Sequence, residues 1–188
     1  MSAARQPHAS RALIARDTDQ EDHCVDRWCI LEADSSWART LVCEGDMHSD
    51  CLFCRLIQGG LSSHQAYKDA VVAVILPRQP VNPGHAMVVT KIHMENFYDA
   101  DDDLYTHLML VVKRTALAIK AVFAPLQVVS ETSGIGNRHV HVHVIPVHGF
   151  YDLVPKEVME KQDAQPPASD EQLASVAQDL RRYLTTHV

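Results

Sequence analysis

The chain has 188 residues, 46% of them hydrophobic, and a formal net charge of −7. That length fits one domain with an appendage, and the apolar fraction suffices for a core. The acidic balance, with no long Lys/Arg cluster, excludes a duplex nucleic-acid binder that works by neutralising phosphates; a mononucleotide site, which needs only a few donors, stays open.

No apolar run approaches membrane-spanning length, so a soluble protein without a membrane partner is expected. Five cysteines are an odd number, and two of them form a C-x-x-C. Such usage suits an intracellular chain better than a disulfide scaffold. The first sixteen residues, MSAARQPHASRALIAR, contain Arg5, Arg11 and Arg16, no acid and no apolar stretch for secretion. Transit peptides and short bacterial tails share that composition, so the expected location is the cytoplasm, with mitochondrial import as the alternative.

Residues 1–48 read as an N-terminal extension, with one or two short strands around CIL and ARTLVCE. Cys24, Cys29 and Cys43 lie there at spacings that match no metal motif, and they read as ordinary small apolar residues. The patterned domain is placed at 49–150, and a linker with a C-terminal helix at 151–188.

Within the domain, DCLFCRLIQGG predicts a short helix ended by Gly59 and Gly60. HQAYKDAVVAVILP predicts a strand, a turn near Lys68 and Asp69, and a second strand through the apolar run 71–76. RQPVNPGH is a Pro/Gly loop, and HAMVVT a third strand. Asp99, Asp101, Asp102 and Asp103 open a long helix, where acids suit the positive end of the helix dipole. Leu104, Leu108, Val111, Thr115, Ala118 and Val122 form its predicted buried stripe. The pair Ala124–Pro125 stops it. LQVVSE predicts a strand and TSGIGN a glycine loop. Ser169 and Gln172 make a capping box for a last helix with Leu173, Val176, Leu180 and Tyr183 on one face. The sum is α+β: a small, mostly antiparallel sheet with one long helix and shorter flanking helices.

The remaining stretch, RHVHVHVIP at 138–146, alternates three histidines with three valines. β-Branched residues at period two predict a strand over 138–145. Successive side chains of a strand point to opposite faces, so His139, His141 and His143 share one face and the valines pack the other.

DCLFCRLIQGG, LPRQPVNPGHAMVVTKIHMENFYD and GNRHVHVHVIP, in this order, resemble the histidine triad (HIT) family over roughly residues 50–146. The resemblance implies nucleotide hydrolases or nucleotidyl transferases, with the middle histidine attacking the α-phosphorus to form a nucleotidyl-histidine. On that basis His141 is the nucleophile, and His139 and His143 are its catalytic neighbours. The chemistry suits the residue type: a neutral imidazole is a good nucleophile near neutral pH if its other nitrogen holds the proton, oriented by an acceptor such as a backbone carbonyl. Neighbouring rings can donate to phosphoryl oxygens or to the leaving group. The scheme requires no catalytic cofactor.

The transferase branch of the family carries Gln at the position of His143, so His143 favours a hydrolase. The loop before the triad, SGIGNRH, departs from the usual Gly-Gln-Ser/Thr-Val and echoes the uridylyltransferase branch. Asn137, Ser133 and Gly136 are its candidate phosphate contacts. Where the family places a ribose-binding Asp or Asn, this chain has Pro77, so Arg78 or Gln79 is expected to substitute. His85 of NPGH matches a family histidine that supports the triad. Some members bind zinc through C-x-x-C, a histidine of a K-x-H segment and the first triad histidine; here these are Cys51, Cys54, His93 and His139. Four such ligands fill a tetrahedral shell, so this zinc would be structural. Two buried thiols without metal is the ordinary alternative. The resemblance also implies a homodimer.

The expected activity is hydrolysis of a nucleoside phosphoramidate, dinucleoside polyphosphate or similar small molecule. A nucleotidyl transferase or phosphorylase, a low-turnover nucleotide-binding regulatory module, and a zinc-binding interaction domain are the alternatives. Because every recognised motif lies beyond residue 48, a chain beginning at Ser49 should fold and keep its chemistry. Solubility and turnover of that truncation check this, and an insoluble or inactive product would assign the extension to the core or the site.

Overall fold

The computed structural model describes residues 50–132, 134, 136–149 and 166–186. The extension 1–48 with its three cysteines, most of the expected linker, and Ser133 lie outside the described residues.

Five strands form one antiparallel sheet in the order β1-β2-β3-β5-β4. They are β1 (Gln65–Lys68), β2 (Val72–Ile75), β3 (Ala86–Thr90), β4 (Gln127–Glu131) and β5 (His141–Val147). Around the sheet lie α1 (Leu52–Ile57), α2 (Asp102–Phe123) and α3 (Asp170–Thr186), with a 3₁₀ turn at Phe97–Asp99. The α+β expectation therefore holds.

The first hairpin and the crossover have local causes. Asp69 closes β1–β2 by accepting from the backbone N–H groups of Val71 and Val72, both at 2.8 Å, the turn chemistry expected of an Asp at that place. After β3 the chain crosses one sheet face as α2, whose N-cap Asp101 accepts from the Leu104 amide at 2.8 Å. It re-enters at the outer edge as β4, and β5 then fills the slot between β4 and β3.

Both sheet faces are covered. Val72, Val74, Val88, Val140, Val142 and Val144 pack in one cluster with Leu108, Val111 and Ile119 of α2 and Leu173, Ala177, Leu180 and Leu184 of α3. On the other face Ala73, Ile75, Met87 and Val89 pack with Phe53 of α1. This double coverage explains why the 71–76 run is continuously apolar rather than alternating.

Three details differ from the sequence pattern. Regular pairing in the histidine strand starts at His141, not at residue 138. The reason lies in the two residues before it: the amides of His139 and Val140 bond to Asn137 and Met94 carbonyls instead. Val122 is exposed, and Val112 and Ile119 are buried in its place, because α2 meets both the sheet and α3. On α3 the buried face runs Leu173, Ala177, Leu180, Leu184, with Val176 and Tyr183 only flanking it. Its capping box forms as expected: Ser169 Oγ accepts from the Gln172 amide at 3.2 Å, and Gln172 Oε1 from the Ser169 amide at 2.9 Å.

Gly84 is the most tightly packed of the described glycines. Its φ is +98°, and a Cβ there would lie 2.7 Å from the Phe123 ring. Gly84→Ala should cost about 2–3 kcal/mol, from backbone strain plus overpacking. Gly136→Ala, where a Cβ meets nothing within 4 Å, should stay within about 0.5 kcal/mol. Urea unfolding of the two variants tests the contrast.

Candidate active site and metal cluster

Register decides what the histidine strand presents. His141 pairs with Val89 and His143 with Met87, so both rings stand on the sheet face that α1 covers. Phe53 of α1 lies against His141 and His139, with ring centroids at 4.6 and 5.5 Å. His139, although ahead of the regular ladder, thus remains on the same side as the other two.

His141 Nδ1 lies 2.6 Å from the backbone carbonyl of His139. A carbonyl only accepts, so Nδ1 carries the proton and Nε2 keeps its lone pair. The ring is 5% exposed, so little water competes with that contact.

His143 is organised differently. The Val81 amide donates to His85 Nδ1 at 3.1 Å. His85 Nε2 lies 2.9 Å from His143 Nδ1. Burial pulls His85 down to about 3 and His143 down to about 4, helped by the neighbouring His143 and His141 rings respectively. Both are neutral at physiological pH. The loop that carries His85 is tied down by the Asn82 amide, which donates to the Pro146 carbonyl at 2.9 Å.

The four residues of the expected metal set come together. The ligand atoms of Cys51, Cys54, His93 and His139 all lie within 4.8 Å of one another. His139 Nε2 is held 2.7 Å from the Thr90 carbonyl, which places the proton there and leaves Nδ1 as a lone-pair donor. That Nδ1 lies 3.3 Å from Cys51 Sγ and 3.6 Å from Cys54 Sγ, and His93 Nδ1 lies 3.4 Å from Cys54 Sγ. A tetrahedral centre with metal–sulfur bonds of about 2.3 Å and metal–nitrogen bonds of about 2.0 Å has S···N edges of roughly 3.5 Å. The residues therefore fit a metal ion. Burial and the adjoining Cys51 push the Cys54 thiol up to about 12. A bound cation would reverse that preference by stabilising the thiolate.

The loop candidates are dispersed. Asn137 and Gly136 are exposed in the turn ahead of His139. Arg78 turns to the C-terminal helix: it pairs with Asp170 at 3.5 Å, and its carbonyl accepts from the Ala168 amide at 2.9 Å. Gln79 is exposed on the same loop. The residues that sequence reasoning missed are Thr90, Val81, Asn82 and Phe53. The first two act through backbone groups, which no side-chain pattern reveals. Asn82 sits inside the quoted VNPGH and Phe53 inside C-L-F-C, but their partners are distant in sequence.

A family model described as the HIT domain matches residues 58–150, beginning just after α1. Protein hit of Bacillus subtilis is 33% identical over 108 residues, which span 55% of this chain and 74% of that protein. The adenosine 5'-monophosphoramidase of Saccharomyces cerevisiae is 30% identical over 99 residues, 51% of this chain and 61% of the yeast protein. Among solved structures, a hypothetical histidine triad nucleotide-binding protein from Sulfolobus tokodaii superposes with a TM-score of 0.59 at 28% identity, covering 72% of this chain and 93% of that one. A Zn-bound histidine triad family protein from Mycobacterium smegmatis shares the fold, with a TM-score of 0.58 at 19% identity over 73% of this chain and 94% of the other. A sheet of the same architecture, the three motifs in order and identity to Protein hit across three-quarters of its length together make this chain a member of the HIT family.

Proposed function

We propose that the chain hydrolyses nucleotide derivatives at the α-phosphate through a nucleotidyl-His141 intermediate. The observation that carries this reading is the 2.6 Å contact between His141 Nδ1 and the His139 carbonyl. It leaves Nε2 as a neutral nucleophile and gives the carbonyl a second task. When Nε2 bonds to phosphorus the ring becomes positive, and the carbonyl dipole already faces the Nδ1 proton that shares the charge. The P–O or P–N bond to the leaving group breaks, and that group departs with a proton from solvent. Water then attacks phosphorus, the N–P bond breaks, and a nucleoside monophosphate, a proton and the free imidazole result.

The yeast relative named as an adenosine 5'-monophosphoramidase supports a phosphoramidate substrate, and His143 in place of Gln favours water as the acceptor. Asn137, Gly136 and Ser133 are the proposed phosphate contacts, and Arg78 or Gln79 the proposed ribose contact. Cys51, Cys54, His93 and His139 would hold zinc with a filled shell. Such a site ties α1 to the active-site strand and takes His139 out of proton transfer. A homodimer also belongs to this reading: among the described residues β4 is a sheet edge, and Leu126 and Leu117 beside it are exposed.

Single-turnover quench with a labelled adenosine phosphoramidate tests the nucleophile. His141→Ala should form no adduct and lose at least about 10⁴-fold in rate, yet stay folded, because the valines carry the packing. His143→Ala should lose about 10²- to 10⁴-fold. A labelled covalent adduct on His141→Ala would refute the assignment.

Elemental analysis of protein purified without chelator should find about one zinc per chain. Cys51→Ser or Cys54→Ser should lower metal content and Tm together, since metal affinity is folding free energy in such a site. Undiminished stability after metal removal would overturn the zinc assignment.

A further inference from the structure

The two thiols of α1 stand within one helical turn of each other. Cys51 is the N-cap residue and Cys54 lies three residues on, and the Arg55 amide closes the turn by donating to the Cys51 carbonyl at 3.2 Å. The Cys51 side chain makes no capping bond to the helix. Both sulfurs lie against one atom, His139 Nδ1, at 3.3 and 3.6 Å, and they are at most 4.8 Å apart. A disulfide joins Cα atoms roughly 4.4–6.8 Å apart, with its sulfurs about 2.0 Å from each other. One turn of helix rises about 5.4 Å. Side-chain rotation therefore brings the sulfurs together without moving the sheet.

We propose that Cys51 and Cys54 are a redox modification site: a hydroperoxide oxidises Cys51, Cys54 resolves it to a Cys51–Cys54 disulfide, and the disulfide closes the Cys/His cluster to metal. The consequence for metal and turnover rests on the proposed function; the oxidation does not. The two thiols differ in access as this sequence of steps requires. Cys51 is half-buried and open to a small oxidant, while Cys54 is buried behind it. In the first step the Cys51 sulfur attacks one peroxide oxygen and the O–O bond breaks. Cys51 becomes a sulfenic acid, and its thiol proton leaves with the other oxygen as water. In the second step the Cys54 sulfur displaces the sulfenic hydroxyl. The S–S bond forms, and the hydroxyl leaves with the Cys54 proton as a second water. Each sulfur gives up one electron, and the peroxide takes up both.

The disulfide and a bound metal exclude each other. Metal–sulfur bonds of about 2.3 Å at a tetrahedral centre set the two sulfurs roughly 3.8 Å apart, nearly twice the disulfide length. A disulfide also has no thiolate to offer. His139 and His93 then remain as two ligands of four. The fold survives the change, because Phe53 still anchors α1 and the His139 Nε2 contact to the Thr90 carbonyl does not involve sulfur. What changes is the face of the His139 ring that meets α1. The carbonyl of that same residue faces His141 Nδ1, so the oxidation state of α1 is read one residue pair away from the proposed nucleophile. In a reducing compartment such a bond is transient, as a sensing pair requires.

Treatment of the metal-free full chain with hydrogen peroxide, followed by alkylation and mass spectrometry, reads the site without substrate. The chain should lose two hydrogen atoms, and fragmentation should place the bond between Cys51 and Cys54. A chain with Cys24, Cys29 and Cys43 replaced by Ser holds only this pair and should behave alike. Cys54→Ser has no resolving thiol, so peroxide should carry its Cys51 on to the sulfinic acid. Zinc titration of the oxidised full chain should show binding at least about 100-fold weaker than in the reduced chain, and dithiothreitol should restore both thiols and the uptake. Turnover of adenosine phosphoramidate should fall roughly 10-fold on oxidation and recover with the thiols. A parent chain in which Cys51 is oxidised without joining Cys54, or joins another cysteine instead, overturns the proposal, whether or not any variant folds. So does a disulfide form that binds zinc as tightly as the reduced one. A pair that closes in a protein with no nucleotide turnover would uphold the oxidation site while removing the proposed hydrolase.

Discussion

The site depends on one strand that serves two masters at period two. β5 puts Val142 and Val144 into the core beneath α2 and, by the same geometry, His141 and His143 onto the opposite face. A one-residue slip would bury imidazoles among valines and expose the valines to α1. The register is therefore secured by the hydrophobic energy of the core, not by the histidines. Neighbours on both sides, β3 and β4, hold β5 in that register. The histidine face thus inherits the rigidity of the packed one, which is what the nucleophile of the proposed function requires.

On that scaffold the three rings are differentiated by their backbone partners. His139 meets the Thr90 carbonyl, His141 the His139 carbonyl, and His143, through His85, the Val81 amide. Two carbonyls and one amide thus give chemically identical side chains different surroundings, and in the proposed function these make His139 a metal ligand and His141 the nucleophile. None of these distinctions needs a charged residue. The carboxylates near the domain do other work, such as Asp69 closing a turn and Asp101 capping α2.

The Cys/His cluster and His141 share a residue. His139 contributes its ring to the cluster and its carbonyl to His141. Whatever fixes the His139 ring therefore also fixes the acceptor that orients the His141 ring. α1, which brings both cysteines and Phe53, is only six residues long, too short to be stable alone. Its place on the sheet is held by Phe53 in the smaller core cluster and, in the proposed function, by the bound metal.

Much of this was legible in the amino-acid order. The alternation HVHVHV determined that three histidines would share a face, because side-chain direction in a strand is a local property. The acidic opening of α2, the Ser169–Gln172 box and the Cys51-x-x-Cys54 spacing are local in the same sense, and each is realised. The tertiary structure alone decided which nitrogen of each ring carries the proton, because Thr90 and Val81 act through backbone groups 49 and 62 positions from the rings they set at His139 and His143. It also decided that Arg78 faces α3 and that Val122 stays outside the core, since both depend on where the C-terminal helix docks. Local pattern specifies which way a side chain points; only packing specifies what it meets there.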